Sequence, residues 1–126
     1  MELIQTNDET LSRLGENVAS LILGKKYTEL AKHYGHALAF GKEPDKAIES
    51  ELQSCLSEAG ENSKLSLVKK PTIEVKYFNE NESNLLAAVE CRIMLENQPG
   101  QVLLELIVSG SNTRNNVMLE QISFIA

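Results

Sequence analysis

Leu85-Leu86-Ala87-Ala88-Val89-Glu90-Cys91-Arg92-Ile93-Met94-Leu95 is the stretch whose reading decides the fold. Alternate residues Leu85, Ala87, Val89, Cys91, Ile93 and Leu95 are all apolar. The period of two predicts a β-strand with one wholly apolar face, which needs a covering layer. The opposite face carries Leu86, Ala88, Glu90, Arg92 and Met94, a mixture of grease and charge.

Three neighbours repeat the pattern. Residues 72–78 place Ile73, Val75 and Tyr77 inward and Thr72, Glu74 and Lys76 outward. Residues 101–109 set Val102, Leu104, Leu106 and Val108 against Leu103, Glu105 and Ile107. In residues 117–125, Met118, Glu120, Ile122 and Phe124 alternate with Val117, Leu119, Gln121, Ser123 and Ile125. A brief alternation at 64–68 is stopped by Lys69-Lys70-Pro71. The connections are short and rich in Asn, Gly and Ser, so adjacent strands pair antiparallel; parallel crossovers need many more residues.

Upstream the period changes to that of a helix. The first helix is expected at 7–23, with Thr6 capping, Glu9 reaching back, Leu11, Leu14, Val18, Leu21 and Ile22 as its stripe, and Gly24 as a left-handed stop. The second is expected at 26–40, on Tyr27, Leu30, Ala31, Tyr34, Ala37 and Leu38. Gly35 lies inside it, so either a close neighbour needs the missing side chain or the helix breaks there. The third is expected at 44–59, with Pro44 at its first position and Ala47, Ile48, Leu52, Cys55, Leu56 and Ala59 buried. The whole is an α+β layout, read as one domain over 1–126 with a helical part (1–63) and an antiparallel sheet part (64–126).

The chain has 126 residues, 42% of them hydrophobic and 24% charged, enough to fold without a disulfide or metal staple. Its net charge of −6 argues against nucleic acid or an anionic membrane as principal partner. The helical half holds most of the excess: Glu43, Asp45, Glu49, Glu51, Glu58 and Glu61 read as a solvated face, or as one that steers a basic partner. The N-terminus has neither a basic region nor an apolar run, so the expected compartment is the cytoplasm. Cys55 and Cys91 fall on apolar faces and read as reduced core thiols, with no CxxC and no metal-ligand spacing.

Chemistry is poorly signalled. GxGxxG, phosphate-loop, GxSxG, HExxH and EF-hand patterns are absent, and no cofactor is expected. His33-Tyr34-Gly35-His36 is the richest cluster; surface histidines with a core tyrosine are the plainer reading, an acid–base site the sharper one. Together with Tyr27 these residues are weak pocket candidates. Glu90, Arg92, Glu105 and Glu120 form a second group on one sheet face, either an ordinary charge-paired patch or the polar centre of an interface. With Leu86, Met94, Leu103 and Ile107 they make a candidate binding surface for another protein or for a second copy of the chain.

The layout resembles the NTF2-like (cystatin-like) cone, in which N-terminal helices lie in the concavity of a bent antiparallel sheet. Leu21-Ile22-Leu23-Gly24-Lys25-Lys26-Tyr27-Thr28-Glu29-Leu30 is similar to that family's helix-one exit, and Val117-Met118-Leu119-Glu120-Gln121-Ile122 to its closing strand. The resemblance covers most of the chain, by layout. The family includes isomerases, dehydratases, transport adaptors and immunity proteins that neutralise toxins. It therefore implies either a non-enzymatic binding domain acting by occlusion, an enzyme with a carboxylate in its cone (Glu90, Glu105 or Glu120 facing Tyr27 or Tyr34), or a homodimeric scaffold.

Overall fold

A computed structural model describes residues 6–35, 41, 43–110 and 114–126, and residues 2–3 as backbone. It contains β1 (Glu2–Leu3), α1 (Asp8–Leu23), α2 (Tyr27–Tyr34), α3 (Pro44–Ala59), β2 (Thr72–Tyr77), β3 (Leu85–Met94), β4 (Gln101–Gly110) and β5 (Asn115–Ile125). The fold is α+β, with the helices N-terminal to a meander of antiparallel strands. The sheet is open and ordered β1-β5-β4-β3-β2. Its short first strand, antiparallel to β5, had no counterpart in the sequence reading.

The helix boundaries follow local chemistry. Asn7, not Thr6, caps α1: its Oδ1 accepts from the Thr10 N–H at 2.9 Å. Gly24 keeps a right-handed φ of −83°, and Lys25 takes the left-handed position at φ 57°. The Lys26 N–H then reaches the Leu21 carbonyl at 2.8 Å and the Lys25 N–H reaches Ile22 at 3.1 Å, closing a Schellman turn one residue later than expected. Helix α2 stops at Gly35, whose φ is 62°. Among the described residues nothing lies within 4 Å of where its Cβ would be, and the positive φ is what calls for glycine here. The expected continuation through 36–40 lies outside the described residues. Helix α3 begins at Pro44 as expected.

Gly15 is where crowding decides. It lies buried in mid-helix, and an added Cβ would sit 2.6 Å from Ile73 Cγ2 and 3.0 Å from Val89 Cγ1. The missing side chain lets α1 lie directly on β2 and β3. The core between the layers is continuous: Leu11, Val18, Ile22, Leu30, Ile48 and Leu52 from the helices meet Val89, Cys91, Ile93, Leu104, Leu106 and Leu119 from the sheet.

The sheet departs from strict alternation at two bulges. Leu85 pairs with Ser109 but Ala87 with Val108, so Leu86 is the extra residue on β3. This turns Leu86 into the core cluster and moves Leu85 to the other side, inverting the expected placement of both. On β5, Gln121 pairs with Glu105 and Leu119 with Leu106, leaving Glu120 as the extra residue. Val117 and Leu119 before the bulge and Ile122 after it are therefore all buried, though the sequence pattern puts them on opposite faces. Two further expectations fail. Tyr77 is 52% exposed, because at the strand's end its ring passes the core and its hydroxyl donates to Asp8 Oδ1 at the start of α1. The alternation at 64–68 yields only a bridge from Leu65 to Leu95, since Ser66 Oγ takes the N–H groups of Val68 and Lys69 and curls the chain into a turn.

Candidate functional site

The helices occupy one side of the sheet; the other side brings the predicted charged group together. Register aligns Glu74 with Glu90, Glu90 with Glu105, and Glu105 with Gln121 in one row across four strands. Like charges directly opposed are unfavourable. Two cations answer them. Arg92 bonds Glu74 Oε2 through Nη1 and Glu90 Oε1 through Nη2, each at 3.0 Å. Lys76 Nζ lies 3.3 Å from the same Glu90 oxygen. Glu90 is thereby buried to 8% exposure with its charge compensated. The Glu74 hydrogen bond, with the neighbouring carboxylate charges, raises the Arg92 pKa further above its ordinary value. Glu105 and Glu120 have no ion-pair partner among the described residues. Four carboxylates against two cations leave this face a formal −2.

Apolar side chains surround the row. Leu103 pairs with Arg92, Ile107 with Ala88, and Met94 with Gln101, all on the outer face and all half-buried. Met118 pairs with Ile107 and is 47% exposed; Ile125 pairs with Gln101. Of the residues expected on this surface, Met94, Leu103, Ile107, Glu90, Arg92 and Glu105 are placed on one face, and Glu120 sits exposed at its bulge. Leu86 is the exception, turned inward. Sequence reasoning missed Met118, Ile125 and the pairing partners Glu74 and Lys76. Register between strands supplies these, and it depends on turn and bulge positions that alternation does not reveal. At the rim, Gln101 Oε1 is buried without a donor among the described residues, an uncompensated acceptor.

The pocket candidates divide between two depressions. His33 and Tyr34 border a depression of about 530 Å³ with Ile107, Met118 and Glu120, whereas Tyr27 borders a separate one of about 470 Å³ with Leu52, Leu56 and Leu65. His36 lies outside the described residues. Tyr34 is a core residue whose hydroxyl accepts from Asn17 Nδ2 at 2.8 Å; burial pushes its pKa up, against the pull of that hydrogen bond. Burial and the Glu49 charge likewise raise Tyr27. Glu90 and Glu105 are separated from both tyrosines by the sheet, and Glu120 is exposed. Both cysteines are buried and unbridged; burial raises the Cys91 thiol to about 12. Among the described residues no group of three His, Cys, Asp or Glu is placed to hold a metal ion, and no helix is long and apolar enough to cross a membrane.

Comparison with known proteins finds no matching family model, no matching curated protein and no matching solved structure.

Proposed function

We propose that this chain is a protein-binding domain of NTF2-like layout that acts by covering a partner with the outer face of its sheet. The observation that carries the reading is that face itself. Met94, Leu103 and Ile125, with Ile107 and Met118 toward the end of α2, flank a charged row on the side of the sheet opposite the one whose residues join the helices in the core cluster. An apolar surface of about a few hundred Å² interrupted by charge is the usual anatomy of an interaction site. The formal −2 of the face and −6 of the chain favour a basic partner over a second copy, which would bring one glutamate row against another. Occlusion of a basic enzyme or toxin, as the immunity proteins of the resembled family practise it, fits this chemistry without any catalytic group.

The enzymatic reading needs a carboxylate and a tyrosine in one enclosed apolar site. Glu120 does border the same depression as Tyr34, but it is exposed and the Tyr34 hydroxyl is engaged by Asn17, while Glu90 and Glu105 line neither tyrosine's depression, so this reading has less support.

The test is affinity capture from the source organism's extract with the natural chain and a Leu103→Lys/Ile107→Lys variant in parallel. A basic protein retained by the first, lost by the second and released by salt supports the reading. Equal retention by both contradicts it.

A further inference from the structure

The outer edge of β2 is open: this strand pairs with β3 and with no other described strand. Phe78 donates its N–H to the Leu86 carbonyl at 3.0 Å. By the alternation of an antiparallel ladder, Thr72, Glu74 and Lys76 also face β3, and the N–H and C=O groups of Ile73, Val75 and Tyr77 point out from the edge. Such a row is a template for another strand. We propose that the occupant is the β2 strand of a second copy, paired antiparallel about a twofold axis at Val75.

Charge and register single out this arrangement. With Val75 opposite Val75, each Glu74 lies across from Lys76 of the second copy, and each Ile73 from the exposed Tyr77. Sliding the strands by two residues sets Glu74 against Glu74 one way and Lys76 against Lys76 the other, and a slide by one turns the faces over. The centred register alone joins opposite charges. It also gives each pair the right role. Ile73–Tyr77 and Val75–Val75 become hydrogen-bonded pairs, about six main-chain bonds in all. Glu74–Lys76 becomes a non-hydrogen-bonded pair, where side chains approach most closely. Within one chain Glu74 already faces Glu90, with Arg92 and Lys76 answering both. Pairing extends this into a continuous row of alternating sign, Arg92–Glu74 to Lys76–Glu90 of the second copy. The product is a single sheet carrying two outer faces side by side.

A contact of this length is smaller than a standard stable interface, so the dimer is concentration-dependent. Sedimentation velocity up to roughly 100 µM chain should show reversible dimerisation. Glu74→Lys alone and Lys76→Glu alone should each sediment as monomers, because each sets like charges in opposition. An equimolar mixture of the two should dimerise again, since the introduced lysine then faces the introduced glutamate and native Lys76 faces native Glu74. Should either variant fail to fold by circular dichroism, Val75→Pro replaces it. It removes an N–H that points away from β3, a substitution edge strands tolerate, and should give a folded monomer. Leu103→Lys/Ile107→Lys should leave the dimer intact, which separates this edge from the outer face. The proposal is overturned by a strictly monomeric natural chain, by a dimer insensitive to Val75→Pro, by folded charge variants that do not associate on mixing, or by a dimer abolished by the outer-face variant.

Discussion

Adding one methyl group at Gly15 should destabilise the protein although alanine is the better helix former. Gly→Ala in a helix interior is ordinarily favourable by about 1 kcal/mol. Here the new Cβ would sit 2.6 Å from Ile73 Cγ2, 3.0 Å from Val89 Cγ1 and 3.3 Å from Cys91 Sγ. The first two are methyls of β-branched residues, stiff at χ1, and cannot rotate clear without leaving their rotamers. Overpacking of this kind costs about 1–3 kcal/mol. Subtracting the propensity gain leaves Gly15→Ala less stable by up to about 2 kcal/mol, a fall in Tm of up to about 8 °C. Thermal and urea unfolding followed by circular dichroism read this directly. In the Gly15→Ala/Ile73→Ala double variant the clash is relieved. Its loss should be smaller than the sum of the single losses by at least about 0.5 kcal/mol. A Tm that rises in Gly15→Ala, as propensity alone requires, would refute the close seating of α1 on β2 and β3.

Asn7→Ala should cost about 1 kcal/mol through loss of the α1 cap while Thr6→Ala is nearly neutral, compared by urea midpoints. Lys25→Gly should stabilise by up to about 1 kcal/mol, because glycine takes the left-handed turn without strain; a lower Tm would contradict the assigned cap. Glu90→Gln removes the charge shared by Lys76 and Arg92 and should cost roughly 1–2 kcal/mol, an effect that shrinks little with salt because the carboxylate is buried. Cys91 keeps its proton in the folded state to about pH 12, against 9.0 for its ordinary value. The unfolded chain therefore loses that proton first as pH rises. The thiol's contribution to stability is complete below pH 9 and falls away between 9 and 12. Cys91→Ala should flatten that part of the stability–pH curve relative to the natural chain, and at pH 8 alkylation of native Cys91 should proceed only as fast as the protein opens.

Periodicity carried the fold a long way. The strands of the meander and the end of α3 fall within a residue or two of where alternation and the helical stripe place them. Local exceptions escaped it for identifiable reasons. Asn7 and Thr6 are both good caps, and which one serves depends on the first turn's geometry. Gly35 reads equally as a packing or a breaking residue until its φ is known. Leu86 and Glu120 leave no mark of a bulge in the residues themselves, yet each reverses the side on which its neighbours lie. The candidate surface was legible as a mixed strand face around Glu90 and Arg92. Its extent was not, because Glu74, Met118 and Ile125 join it through register, a property of pairs of strands. The histidine cluster shows the opposite failure: one short stretch drew notice, but its tyrosine is used up by Asn17 inside the core.

Whether the outer face of the sheet is the working surface is decided by the affinity of a captured partner for the natural chain and for Leu103→Lys/Ile107→Lys. Both side chains are half-exposed, so the variant should fold with little loss of stability. Calorimetry should show binding weakened by at least about 100-fold, the loss of two interface anchors. Unchanged affinity in a folded variant would place the working surface elsewhere on the molecule.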